Sequence, residues 1–349
     1  MRTLWVACLI AAAVVMPAQR AARGQEIKIS HQWAEGIDGR DRAVRVFVQE
    51  AEARAKGLRF RIYPNSSLNI PPTELLPALR NNVLDMAVYP LTYAIATVPE
   101  FSLAGLPGLV PNLDAAHALK GTEIHAMLQS LAEANGMHIL TWWWAPGALF
   151  AKDRQIGGPA TVRSLKMRGA DPLFEVMLKE AGASVMNMPS TDIYAAMQSG
   201  RLDAIGTTYE AFMSLRLFEQ AKFATVGPSL FMGFCPLVTS LATWNKLTPE
   251  QRVAIEEAAS IADEYFETVE RDLMRRVEKT LQDAGVTTSP MSHEDYLAWL
   301  AFAQRTAWVQ YTKLNPRAQE LLISTVRTFL VTLGHKDNVI NSLFGEDRK

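Results

Sequence analysis

Arg168 is the side chain whose type and setting point most directly to chemistry. It closes the short run Lys166-Met167-Arg168, which reads as a buried strand, and a charge carried into a core is costly unless something answers it. A planar guanidinium matches a carboxylate through two parallel hydrogen bonds, so Arg168 is a candidate anion anchor. An ion pair with the nearby Asp171 is the competing structural role. Thr207, Thr208 and Tyr209 follow the pair Leu202-Asp203 and would either offer hydroxyls to a cleft or pack in a linker. Trp142-Trp143-Trp144 reads as strand, with 142 and 144 on one face and 143 on the other. Their rings could line a site or fill a core.

Spacing argues against other chemistries without excluding catalysis. Of the six histidines, His117 and His125 stand eight apart, and no His-Glu-x-x-His is present. There is no Gly-x-Ser-x-Gly elbow, no Gly-Lys phosphate loop and no Gly-x-Gly-x-x-Gly. No metal and no cofactor is implied, and an enzyme is not expected. Net charge is −1 over 349 residues, with no clustered basic excess of the kind nucleic acid requires.

The elements that would position Arg168 are announced by a repeat. Thr73 to Ala87 and Thr191 to Ile205 share one plan: a Thr and an acid, two turns of apolar-periodic helix, a breaker (Asn82, Gly200), then Leu-Asp entering a short apolar strand. Two α/β lobes with a ligand cleft between them are expected. Residues 26–33 and 58–63 alternate as strands around a helix over 41–56, a β-α-β opening. A helix is expected from Asp114 to Asn135, a strand from His138 to Trp144, and another from Ser184 to Met188, with Ser190 as a helix cap. Thr248-Pro-Glu-Gln251 is a capping box with Pro at the first helical position, and apolar residues from Ile255 to Leu281 then recur at helical spacing. That predicts a helix of about 35 residues, roughly 50 Å long. Ser292 starts a helix towards Leu314, Pro316 to Gly334 supplies another, and Gly345 to Lys349 should fray.

The beginning of the chain is of another kind. Arg2, an apolar run from Leu4 to Val15, and Ala22 and Gly24 at the −3 and −1 positions form a secretory signal over residues 1–24, too short to span a membrane. Its removal would leave 32 basic against 36 acidic side chains and Cys235 as the remaining cysteine, which excludes an internal disulfide and a thiolate cluster. The periplasm is the expected address.

Leu165-Lys-Met-Arg168 and Met188-Pro-x-x-Asp-Ile-Tyr-x-Ala-Met-Gln-x-Gly-x-Leu-Asp203 resemble the solute-binding proteins of tripartite ATP-independent periplasmic (TRAP) transporters. The resemblance extends to His31-Gln32-Trp33, Tyr63 to Leu68, Leu84 to Ala87, Pro99 to Pro107 and Trp244 to Pro249. It implies an α/β, two-lobed periplasmic-binding-protein fold, type II-like, with mixed sheets and a long connecting helix. Residues 25–145 would form the first lobe with later segments returning, 146–247 the second, 248–283 the connecting helix, and 284–349 C-terminal helices packed on the lobes. The implied partners are an organic anion and the small and large membrane subunits of the permease, with the protein itself a monomer. An exported enzyme, or a ligand-sensing module using the same clamp, is the alternative.

Arg168 matches the family's carboxylate-binding arginine. Gly147 stands near where many members carry a second arginine, Ser190 where a ring is common, and Gly206-Thr207 where Glu-Asn is common. These departures point away from a simple small dicarboxylate and towards a sugar acid or an aromatic carboxylate. Tyr89, Tyr93, Trp142 or Trp144, Tyr209 and Phe234 could supply flat faces for it, and Ser190, Thr207 and Thr208 hydroxyls. His31, Gln32 and Trp33 complete the expected site.

Overall fold

The computed structural model describes residues 25–332. The expected signal over 1–24, the fraying end and the tip of the last helix beyond 332 lie outside the described residues. Among the described residues there are twelve strands: β1 (Gln25–Ser30), β2 (Leu58–Tyr63), β3 (Met86–Val88), β4 (Met137–Ile139), β5 (Trp144–Ala151), β6 (Lys166–Arg168), β7 (Ser184–Val185), β8 (Ala204–Thr208), β9 (Phe223–Val226), β10 (Met232–Phe234), β11 (Leu237–Ser240) and β12 (Thr287–Pro290).

They form two mixed sheets of one design. The first runs β2-β1-β3-β11-β4 and the second β7-β6-β8-β5-β9-β12, with β10 also pairing β5. In each, three parallel strands are followed by an antiparallel one, β11 in the first and β5 in the second. The repeated segments fall at equivalent places. A 3-10 turn (Pro72–Glu74, Ser190–Asp192) leads into a six-residue helix (Leu75–Arg80, Ile193–Gln198) and then into β3 or β8. The breakers Asn82 and Gly200 both take left-handed backbone, φ +56° and +73°, the conformation that lets a helix stop and reverse. Leu84 and Leu202 are fully buried. Asp85 accepts the Lys28 N–H and Asp203 the Lys166 N–H, each at 2.9 Å, so each aspartate ties its strand to the neighbouring one.

The long helix spans Pro249–Asp283 and opens with both halves of the capping box, Gln251 N to Thr248 Oγ1 at 3.2 Å and Thr248 N to Gln251 Oε1 at 3.1 Å. Its Ala254, Ile255, Ala258, Ala259, Ala262 and Phe266 complete the first lobe's core, beside helix Gly39–Arg54. Its Val277 and Leu281 complete the second lobe's. It is a strut along both lobes.

Several expectations need correction. Residues 237–247 do not belong to the second lobe: β11 returns to the first sheet, where it hydrogen-bonds to β3 and β4. The helix expected over 114–135 is two, Leu113–Ala118 and Glu123–Ala134, because Gly121 turns the chain at φ +76°. The strand expected over 138–144 ends at Ile139; residues 140–143 cross between the lobes, and Thr141 Oγ1 accepts the Leu237 N–H of the returning strand at 2.7 Å. The strand over 184–188 stops at Val185. Ser190 does not cap with its side chain; it faces Gln32 instead. The helix towards Leu314 carries a wider π turn over Gln304–Trp308.

Equivalent placement predicts equivalent cost. Leu84→Ala and Leu202→Ala should each lower unfolding free energy by about 2–5 kcal/mol, measured by urea denaturation; either variant unfolding like wild type would contradict the shared design.

Candidate functional site

The carboxyl ends of the parallel strands of both sheets face one another across the cleft, the place where open α/β sheets bind ligands. A cavity of ≈ 50 Å³ lies there. Gln32 and Trp33 follow β1, Thr92 and Tyr93 follow β3, Arg168 ends β6, Thr207 and Thr208 end β8, and Phe234 ends β10.

Arg168 is 4 % exposed. Its Nε donates to Met188 O and its Nη1 to Gly206 O, both at 3.1 Å. Among the described residues it has no ion pair with any carboxylate, so the Asp171 salt bridge is not formed. The Asp171 carboxylate instead accepts the Leu173 N–H at 2.8 Å and caps helix Pro172–Glu180. Two carbonyls thus aim at the cavity a buried cation that has no ion-pair partner among the described residues.

Eight of the twelve expected residues line the cavity: Gln32, Trp33, Tyr93, Arg168, Ser190, Thr207, Thr208 and Phe234. Gln32 Nε2 donates to Ser190 Oγ across the cleft, and Ser190 N to Tyr93 Oη at 3.1 Å. Gln32 Oε1 is buried without a partner among the described residues. The other four lie elsewhere. His31 is turned to Asp41, with Nε2 to Oδ1 at 3.0 Å. Tyr89 is wholly buried in the core beneath β3, and Tyr209 packs edge-on against Phe150. Trp142 and Trp144 share a face, as expected, but that face looks away from the cavity. Trp144 stacks behind Phe234 with centroids 4.6 Å apart, and Trp142 Nε1 donates to Ala116 O at 2.9 Å.

A cavity residue that the sequence did not single out is Arg40, 1 % exposed and stacked 3.9 Å over Trp33. It grips Asp38 with two bonds, Nε to Oδ1 at 2.8 Å and Nη2 to Oδ2 at 2.7 Å. Asp38 also accepts Ser214 Oγ at 2.7 Å, and Glu210 the Gly39 N–H at 3.0 Å, which closes this end of the cleft with polar contacts. Despite burial, Arg40 holds the Asp38 carboxyl below the usual carboxylate range, so this pair is internally neutral. Burial raises the Glu210 and Glu270 carboxyls behind it, and pushes the Cys235 thiol up to about 11. No signal in the sequence sets Arg40 apart, since it sits in a run of surface-like charges.

Gly147 has a steric reason. A Cβ there would lie 2.6 Å from Thr207 O and 2.7 Å from the Phe231 ring, so no side chain fits.

The profile of the bacterial extracellular solute-binding proteins, family 7 (DctP), matches residues 29–313. The chain belongs to that family. A solute-binding protein of Albidiferax ferrireducens is 34 % identical over 91 % of this chain and 96 % of its own length. Among solved structures, a TRAP periplasmic solute-binding protein from Rhodoferax ferrireducens with bound malonate is 33 % identical, covers 88 % of this chain and 99 % of that one, and superposes with a TM-score of 0.85. One from Chromohalobacter salexigens with bound D-glucuronate shares the fold, at 21 % identity, coverage of 86 % and 99 %, and a TM-score of 0.79. The two-lobed fold expected of this solute-binding protein is therefore the family's own.

Overpacking at Gly147 should be felt directly. Gly147→Ala is expected to cost about 1–3 kcal/mol and to lower the thermal midpoint. A variant as stable as wild type would show that the cleft wall can yield to a side chain.

Proposed function

We propose that this chain is the solute-capturing subunit of a TRAP transporter, acting in the periplasm after loss of residues 1–24 and handing an organic acid anion to the small and large membrane subunits. The observation that carries the reading is Arg168: a buried guanidinium, fixed by two backbone carbonyls and left without an acid partner, is built to receive a carboxylate from outside. Bound malonate and D-glucuronate in family structures support the same ligand chemistry. Mature protein purified from periplasm should begin at Gln25, which intact mass measures; a chain retaining residues 1–24 there would contradict the cleavage.

The ligand class follows from charge and hydrogen bonding. Arg168 offers an open cation, whereas Arg40's is already matched by Asp38, so the site favours one strong carboxylate. The partnerless Gln32 Oε1 needs a polar partner, the Thr207 and Thr208 hydroxyls line the same cavity, Thr208 while accepting the Ala211 N–H at 3.1 Å, and the Tyr93, Phe101, Phe231 and Phe234 rings provide apolar faces. A hydroxylated or aromatic monocarboxylate fits best. The malonate of the 33 % identical relative sets the opposing expectation.

Calorimetry with glucuronate, an aromatic acid, malonate and succinate decides. A monocarboxylate should bind at least about tenfold tighter than either small diacid, a difference of about 1.4 kcal/mol. Arg168→Ala should lose about 2–5 kcal/mol of binding, with Arg168→Lys recovering part, because an ammonium lacks the fork. Diacids winning would move the second carboxylate to Arg40; Arg168→Ala within twofold of wild type would remove the anchor.

A further inference from the structure

Asp171 is a carboxyl in a cavity read as an anion site, and capture of an anion gives it no role. It is 1 % exposed and lines the same cavity as Arg168. Its Oδ1 is occupied by the Leu173 N–H at 2.8 Å. Its Oδ2 lies 3.2 Å from the Thr92 hydroxyl of the opposite lobe, and that same hydroxyl lies 3.1 Å from the Ala170 carbonyl. The contact between lobes is tight here, since a Cβ on Gly105 would meet Oδ2 at 2.5 Å.

One hydroxyl has one proton to give. A carbonyl can only accept, so if Thr92 donates to Ala170, its oxygen faces Oδ2 and a donor is needed on the carboxyl side. A protonated Asp171 supplies it and completes a chain from Oδ2–H to Thr92 Oγ1 and from Thr92 to Ala170 O. An ionised Asp171 forfeits one of those bonds and leaves a negative charge in the space the anion enters.

We propose that Asp171 is a proton-binding latch between the lobes, so that the protein takes up a proton together with its anion. The inference rests on the anion reading above. Burial pushes the Asp171 carboxyl up to about 7 in the closed lobes, against the lowering by the Leu173 N–H and Thr92. The titratable and charged groups around it are Glu175 on its own helix, Arg168 on the strand before, and Tyr311 from the C-terminal helices, whose phenol donates to Glu100 O at 2.9 Å. An anion arriving at Arg168 adds a further reason to keep the proton.

The sign follows from linkage. With the lobes apart, Asp171 is solvated and titrates near an ordinary aspartate, about 3.9; closed, its carboxyl is pushed up to about 7 by burial. Between those values, binding takes up a proton, so affinity rises as pH falls, by up to about tenfold per pH unit. Above the closed-state value the dependence flattens.

The test is calorimetry of glucuronate, whose own carboxyl stays ionised throughout, at about pH 5 and about pH 7, each in two buffers of different ionisation enthalpy. Wild type is expected to bind at least about tenfold tighter at the lower pH and to absorb up to about one proton per anion. Asp171→Asn keeps the helix cap and places a permanent donor opposite Thr92. It should bind with much weaker pH dependence, absorb correspondingly less proton, and exceed wild type at the higher pH. A flat wild-type profile, or an Asp171→Asn profile as steep as wild type, overturns the latch while leaving anion capture intact. If neither protein binds any acid of the panel at either pH, the anion reading falls and the latch with it.

Discussion

A guanidinium taken out of water without a carboxylate beside it is the constraint around which this molecule is arranged. Arg168 could have been neutralised by Asp171, three residues on, but Asp171 caps a helix and the arginine is held by carbonyls. Carbonyls orient a cation and return part of its lost hydration without cancelling its charge. Those carbonyls come from Gly206 in β8 and Met188 just beyond β7, which flank β6 on either side. The position of the charge is thus fixed by the pairing of three strands, and a small shift in that sheet would unseat it. On the proposed reading, the cost of the unmatched cation is the reserve from which an arriving anion draws its affinity.

The far end of the cleft shows the contrasting solution. Arg40 and Asp38 cancel one another, while Glu210 and Glu270, buried nearby, are biased towards their neutral forms. The contacts that join the lobes here, Ser214 to Asp38 and Gly39 N–H to Glu210, are hydrogen bonds, beside a half-exposed Arg42 whose Nη2 lies 3.9 Å from Glu210. Water can replace such bonds when lobes part, whereas an apolar seam would resist opening. Permanent cohesion is carried elsewhere, by the strut helix, whose apolar residues sit in both lobe cores, and by one apolar cluster that joins Leu84 and Tyr89 of the first lobe to Met167 and Phe174 of the second through Trp299, Tyr311 and Leu321 of the C-terminal helices.

Much of this was legible in the sequence, for stated reasons. The Leu-Asp repeat, the capping box at Thr248 and the strand ending at Arg168 are local patterns, and local geometry dictates them. Alternation placed Trp142 and Trp144 on one face, but a period of two cannot say which face looks into a cleft; the answer is set by the crossing at 140–143. Arg40 escaped notice because its distinguishing partners, Asp38, Trp33 and Cys235, meet only after folding. The break at Gly121 was visible in type but lost within a longer apolar period. Gly147 looked like a missing arginine, and only the Phe231 ring and Thr207 carbonyl reveal a position with no room.

The placement of β11 has a consequence in time. It lies between β3 and β4, yet the whole second sheet except β12 precedes it in the chain. A chain emerging from its N-terminus therefore cannot finish its first sheet from its first hundred and forty or so residues. Edges of β3 and β4 stay open until Leu237–Ser240 arrives. Contacts of such long sequence separation are slow to form. The order of the strands thus works as a delay, holding the leading half of the polypeptide unfinished until its last strand has been delivered.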